Sequence, residues 1–133
     1  MTMNATHPNV SVLRAIYQDL RRIADYSDET VVLHPAERSH SESALPVVGK
    51  RAVLAKELDL IRVTDESLVM EVTDIVANES FGAVLGTLRA AKHGRTLAMP
   101  FCGLWRFRDG LIVEHWENAY DASVMGAFFS PAA

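Results

Sequence analysis

The chain has 133 residues, with 17 acidic and 13 basic side chains, a formal charge of −4 and 49% apolar content. That composition fits one globular domain and excludes wholesale disorder. The basic residues are scattered, which argues against nucleic acid or an anionic membrane as partner, and a lone cysteine, Cys102, excludes an internal disulfide and speaks against a cysteine-based metal site.

Residues 1–8 are polar and end in Pro8, a loose lead-in; MTMNATHPN has neither the basic stretch nor the apolar run of a signal peptide. No apolar run approaches the roughly 18 residues that span a bilayer, so a cytoplasmic location is expected. Asn9 is placed to cap a helix, and Leu13, Ile16, Tyr17, Leu20, Ile23 and Ala24 recur at helical spacing on one face. Thr30 to Leu33 is a β-branched run that predicts a short strand, stopped by His34-Pro35. Residues 36–46 are polar and serine-rich, a loop or flap. A second amphipathic helix follows Gly49, with Ala52, Val53, Leu54, Leu58 and Ile61 as its apolar face.

After Thr64-Asp65-Glu66 the pattern changes to strands: 68–77, 81–91, 96–108 and 112–120. The turns between them are Asn78-Glu79-Ser80, His93-Gly94 and Asp109-Gly110, the last being the strongest hairpin signal in the chain. Residues 121–129 form a short tail, a helical turn or an extended cover. The order predicts an α+β domain in which a curled antiparallel meander is fronted by helices and leaves a concave space.

The segment GLWRFRDGLIVEHWENAYD (103–121) resembles the last hairpin of the SnoaL-like group within the nuclear-transport-factor-2-like, ketosteroid isomerase-like superfamily. The likeness extends to the helix at 10–24, to DETVVLHP (28–35) and to GKRAVLAKELDLI (49–61). It implies a cone-shaped α+β barrel over residues 1–133, with N-terminal helices on the concave face of the sheet. A homodimer packed through the outer face is implied too, with Trp116 and Tyr120 exposed there. The short segment between the first helix and VVLHP is a departure that implies a reduced second helix. The superfamily hosts isomerases, polyketide cyclases, lyases and non-catalytic binding modules, so fold alone names no activity.

Strand alternation puts Ile112, Glu114, Trp116, Asn118 and Tyr120 on one face and Val113, His115, Glu117 and Ala119 on the other. Likeness to the ketosteroid isomerases turns the second set inward, together with Met99, Phe101, Gly103, Trp105 and Phe107. An apolar wall carrying two ionisable groups suits a small apolar or aromatic carbonyl compound. The same likeness puts His34 where relatives carry the proton-moving carboxylate. It puts Tyr17 where some carry a carbonyl-polarising hydroxyl, and Asp121 where the cyclase branch carries an acid/base. Gly103 stands where the isomerases hold a protonated aspartic acid, which excludes their mechanism in that form and suggests room for ligand bulk.

His115 and Glu117 share a face about 7 Å apart, where an apolar wall raises a glutamate and lowers a histidine. Two functions fit. One is a cofactor-free isomerase, cyclase or lyase working through His34, His115, Glu117, Asp121 and Tyr17, with Met99, Phe101, Gly103, Trp105 and Val113 binding ligand. The other is a non-catalytic binding or dimerisation module whose polar residues satisfy one another. His34, His115 and Glu117 have the residue types of an open metal site but no metal-binding spacing, so no metal is expected.

Overall fold

The structure is a computed structural model describing residues 2–39 and 41–130; His40 of the expected flap lies outside them. Helix α1 (Pro8–Gln18) is capped by His7, not Asn9: the His7 Nδ1 accepts the Asn9 N–H at 3.1 Å, and Pro8 takes the first helical position, where no donor is needed. Asn9 instead donates from Nδ2 to the Asn78 carbonyl at 3.1 Å, and Asn4 exchanges two 2.9 Å backbone bonds with Ala77. The lead-in is therefore pinned at Asn4.

The first helix stops at Asp19 and does not run to 24. Asp19 is extended (φ −154°), and its carboxylate accepts the Arg21 N–H at 3.1 Å, a local bond that competes with helix continuation. A 3-10 stretch, Leu20–Tyr26, then keeps Ile23 buried.

Strand β1 (Ser27–His34) is longer than Thr30 to Leu33 and leads into a 3-10 turn, Ala36–Ser39. Strand β2 (Val47–Val48) precedes helix α2 (Lys50–Val63). Strands β3 (Val69–Ala77), β4 (Phe81–Lys92), β5 (Arg95–Arg108) and β6 (Leu111–Ala119) follow, and the tail is helix α3 (Ala122–Phe129). Asp109 (φ 53°) and Gly110 (φ 81°) both take positive φ, as the β5–β6 hairpin demands.

The strands make one curled, unclosed sheet in the order β2-β1-β6-β5-β4-β3. The meander is antiparallel, but β1 lies parallel to β6, with Leu33 opposite His115 and His34 opposite Trp116. α1 packs on β3 and β4, and α2 on β1 and the Leu20–Tyr26 stretch. Leu13, Ile16, Val31, Leu33 and Ile112 are wholly buried in the core between them. Each contributes about 1.5–3 kcal/mol of burial free energy.

Candidate functional site

A cavity that opens to solvent, with about 70 Å³ of room for the centre of a water-sized sphere, lies between the sheet's concave face and the helices. Its floor is β5 and β6, which present Phe101, Gly103, Trp105, His115 and Glu117 at alternate positions. α1 and the 3-10 stretch add Ile16, Tyr17, Leu20 and Ile23; Met125 and Phe129 of α3 close one side.

At the floor, Tyr17 stacks on Phe101 (centroids 5.5 Å) and meets Trp105 edge-on, and the Trp105 Nε1–H donates to the Tyr17 hydroxyl at 3.2 Å. Burial raises the tyrosine pKa, so the hydroxyl stays protonated, and its own proton finds no acceptor among the described residues. A Cβ built on Gly103 would collide with this hydroxyl. Gly103 therefore makes room for Tyr17, not for ligand bulk.

His115 lies flat on Trp105, centroids 3.5 Å apart, and its Nδ1 is 3.0 Å from the Leu104 carbonyl. That carbonyl can only accept, so Nδ1 carries the proton and Nε2 is left as an acceptor. Burial, helped by the nearby cations Lys56 and Arg38, lowers its pKa from 6.5 to about 3 against the opposing Leu104 bond. The ring is a neutral acceptor throughout the physiological range, and a weak base.

Glu117 does not pair with His115. Its Oε1 accepts from Lys56 Nζ at 3.0 Å, and both side chains are half-buried. Beside Lys56, Glu57 reaches the cavity with 3% of its surface exposed and no hydrogen bond to its carboxyl group among the described residues. Burial, reinforced by the Glu117 charge and opposed by Lys56, raises it from 4.5 to about 8. The site thus holds a neutral carboxylic acid, a neutral imidazole and a closed Lys–Glu pair on a mainly apolar wall that also carries Glu37 and Asn118.

The remaining sequence candidates fall elsewhere. His34 is on the outer face: Nε2 is 2.6 Å from Glu114 Oε2, and its ring stacks on Trp116 at 5.3 Å. The parallel β1–β6 register dictates this, because it aligns His34 with Trp116 and so away from His115. The two histidines and Glu117 consequently form no common ligand set. Asp121 caps α3, its Oδ1 accepting the Val124 N–H at 3.0 Å in an exposed position. Met99 and Val113 are buried in the packing and do not line the cavity.

The apolar pattern of α2 does not point to Lys56 or Glu57, because its apolar positions are not the face that the fold buries. Leu58 is in fact 44% exposed, and the inward stripe is Val53 and Glu57, both buried, then half-buried Leu60 and the buried C-cap Thr64. That spacing is helical once a glutamate is admitted to it. The 36–46 segment reaches the cavity through Ala36 and Glu37. Arg38 anchors it, donating to the carbonyls of Pro35 at 2.7 Å and Glu117 at 2.6 Å.

The SnoaL-like domain model matches residues 15–115. The chain belongs to the SnoaL-like family. No curated protein sequence matches it. Among solved structures, this SnoaL-like chain is similar to Bal32a from a soil-derived mobile gene cassette, with a TM-score of 0.78 and 19% identity over 92% of this chain and 96% of that one. It is also similar to a putative SnoaL-like polyketide cyclase from Jannaschia sp. CCS1 (TM-score 0.70, 17% identity, 92% of each chain). A third is TerC co-crystallised with polyporic acid (TM-score 0.73, 17% identity, 92% and 98% covered). At these identities the likeness establishes the SnoaL-like fold, and the chemistry of the site rests on its own residues. Among the described residues, no helix is long and apolar enough to cross a membrane.

Proposed function

We propose that the chain binds a small, mostly apolar carbonyl compound in this cavity and moves a proton on it without a cofactor, in the cytosol. The observation that carries the reading is the floor itself: a neutral His115 offers Nε2 as an acceptor and Tyr17 retains a hydroxyl proton to donate, both against Phe101 and Trp105. Such a surface matches a flat apolar molecule with one polar oxygen. The polyporic acid co-crystallised with TerC and the putative polyketide cyclase from Jannaschia support a ligand of this general kind.

Of the residues first considered, this reading keeps Tyr17, His115, Glu117, Phe101, Gly103 and Trp105. Glu117 acts through its ion pair with Lys56, holding a charge balance at the cavity. The homodimer belongs to the same reading: Leu85, Leu104 and Tyr120 stand exposed on the outer face, at 46, 43 and 83%. A thermal-shift screen of naphthyl and phenyl ketones tests the function. Stabilisation of wild type that is lost in His115→Phe, which keeps the stack on Trp105 but removes the acceptor, is the expected result. No stabilisation by any of these ketones contradicts it.

A further inference from the structure

We propose that Glu57 is the hydrogen-bond donor that receives the carbonyl oxygen of the ligand, so that the site accepts neutral ketones and aldehydes only while this carboxyl group is protonated. The inference rests on the cavity being a ligand site, and it assigns the polar end of that ligand to α2.

Three observations converge on it. Glu57 is almost fully buried and lines the cavity, yet its carboxyl group has no hydrogen-bond partner among the described residues. Among the described residues no fully buried side-chain polar atom lacks a partner, so the Glu57 carboxyl keeps access to the cavity, where a ligand oxygen takes the place of water. The nearest cation, Lys56, is already taken by Glu117 at 3.0 Å. No cation among the described residues forms an ion pair with Glu57, and the acid form, with an O–H to give, is the one the surroundings favour.

The groups facing Glu57 leave its acid form favoured. Tyr17, Glu37, Lys56, Cys102, His115 and Glu117 line the same cavity. Of these Glu117 disfavours a second negative charge, Lys56 opposes that effect, and burial outweighs both. On the other elements packed against α2, Glu29 pairs with Lys50 and His34 with Glu114, while Arg21, Arg22 and Asp25 are exposed to solvent. The titration falls near pH 8. Below it Glu57 donates; above it a carboxylate faces the carbonyl lone pairs.

The test compares 2-acetylnaphthalene with 2-ethylnaphthalene, which has the same ring and no oxygen, by calorimetric titration between pH 6.5 and 9.5. Wild type should bind the ketone roughly tenfold more weakly at the alkaline end, about the worth of one buried hydrogen bond, and bind the hydrocarbon equally at both. In Glu57→Gln, whose amide donates at every pH, the ketone's affinity should no longer depend on pH. A break that survives in Glu57→Gln overturns the role of Glu57 and leaves the pocket reading intact. Failure of wild type to bind either compound overturns the pocket reading and this inference with it. The carboxyl ¹³C resonance of Glu57 in unliganded wild type gives an independent check, and a midpoint in the ordinary glutamate range between about 4 and 5 would contradict the proposal.

Discussion

Tyr17 and Gly103 occupy one another's space, and the hydroxyl of one sits where the other lacks a Cβ. Gly103→Ala should therefore cost about 1–3 kcal/mol in urea denaturation, the usual range for overpacking. In a Tyr17→Phe background, where the clashing oxygen is gone, the same alanine should cost markedly less. Equal costs in both backgrounds would mean the two residues are not coupled. The two shifted groups of the site predict a pH profile. His115 in the folded state binds its proton only near pH 3, whereas unfolded it binds near 6.5. Its contribution is complete above 6.5 and is lost as pH falls. Glu57 in the folded state holds its proton up to about 8, whereas unfolded it releases it near 4.5. Its contribution is complete below 4.5 and is lost as pH rises through 8. Stability should thus be level between about pH 4.5 and 6.5 and fall on both sides. The plateau is level because the two opposing slopes cancel there. Glu57→Gln should therefore flatten the alkaline limb and leave stability rising up to pH 6.5. His115→Gln should weaken the acid limb and leave stability falling from pH 4.5 upward. An alkaline limb unchanged in Glu57→Gln would show that Glu57 titrates normally.

Among the elements, α3 depends on a local cap. Asp121→Ala should cost about 1 kcal/mol, while Asp121→Asn, an equally good cap, should stay near wild type. Loss of ligand-dependent activity in Asp121→Asn would instead restore an acid/base role to this carboxylate. The hairpins were legible in the sequence because turn chemistry is local: His93-Gly94 and Asp109-Gly110 declare their own positive φ. The tail was ambiguous because ASVMGAFF has hardly any polar face, so its helix is set by packing Met125 and Phe128 on the domain. The face of His34 depends on a pairing 80 residues away with β6, which no local pattern contains. Strand alternation separated the two faces, but only the family likeness brought Phe101, Gly103, Trp105, His115 and Glu117 together as one inward set; all five line the cavity. Glu57 was invisible for the opposite reason: a carboxyl group inside a buried helical stripe breaks the rule by which such stripes are recognised.

At the scale of the whole molecule, the curled sheet has two faces with different tasks. The concave one holds the cavity. The convex one exposes Leu85 and Leu104, with Tyr120 just beyond β6, and these are the residues a second copy should cover. Sedimentation equilibrium should return a dimer that Leu104→Glu converts to monomer, and a monomeric wild type would remove the outer face from the account. The central claim concerns the concave face, and an amide NMR titration of wild type with 2-acetylnaphthalene examines it residue by residue. Saturable shifts centred on the amides of Tyr17, Glu57, Phe101, Gly103 and His115 are the predicted result. Shifts confined to Leu85, Leu104 and Tyr120, or none at all, would contradict it.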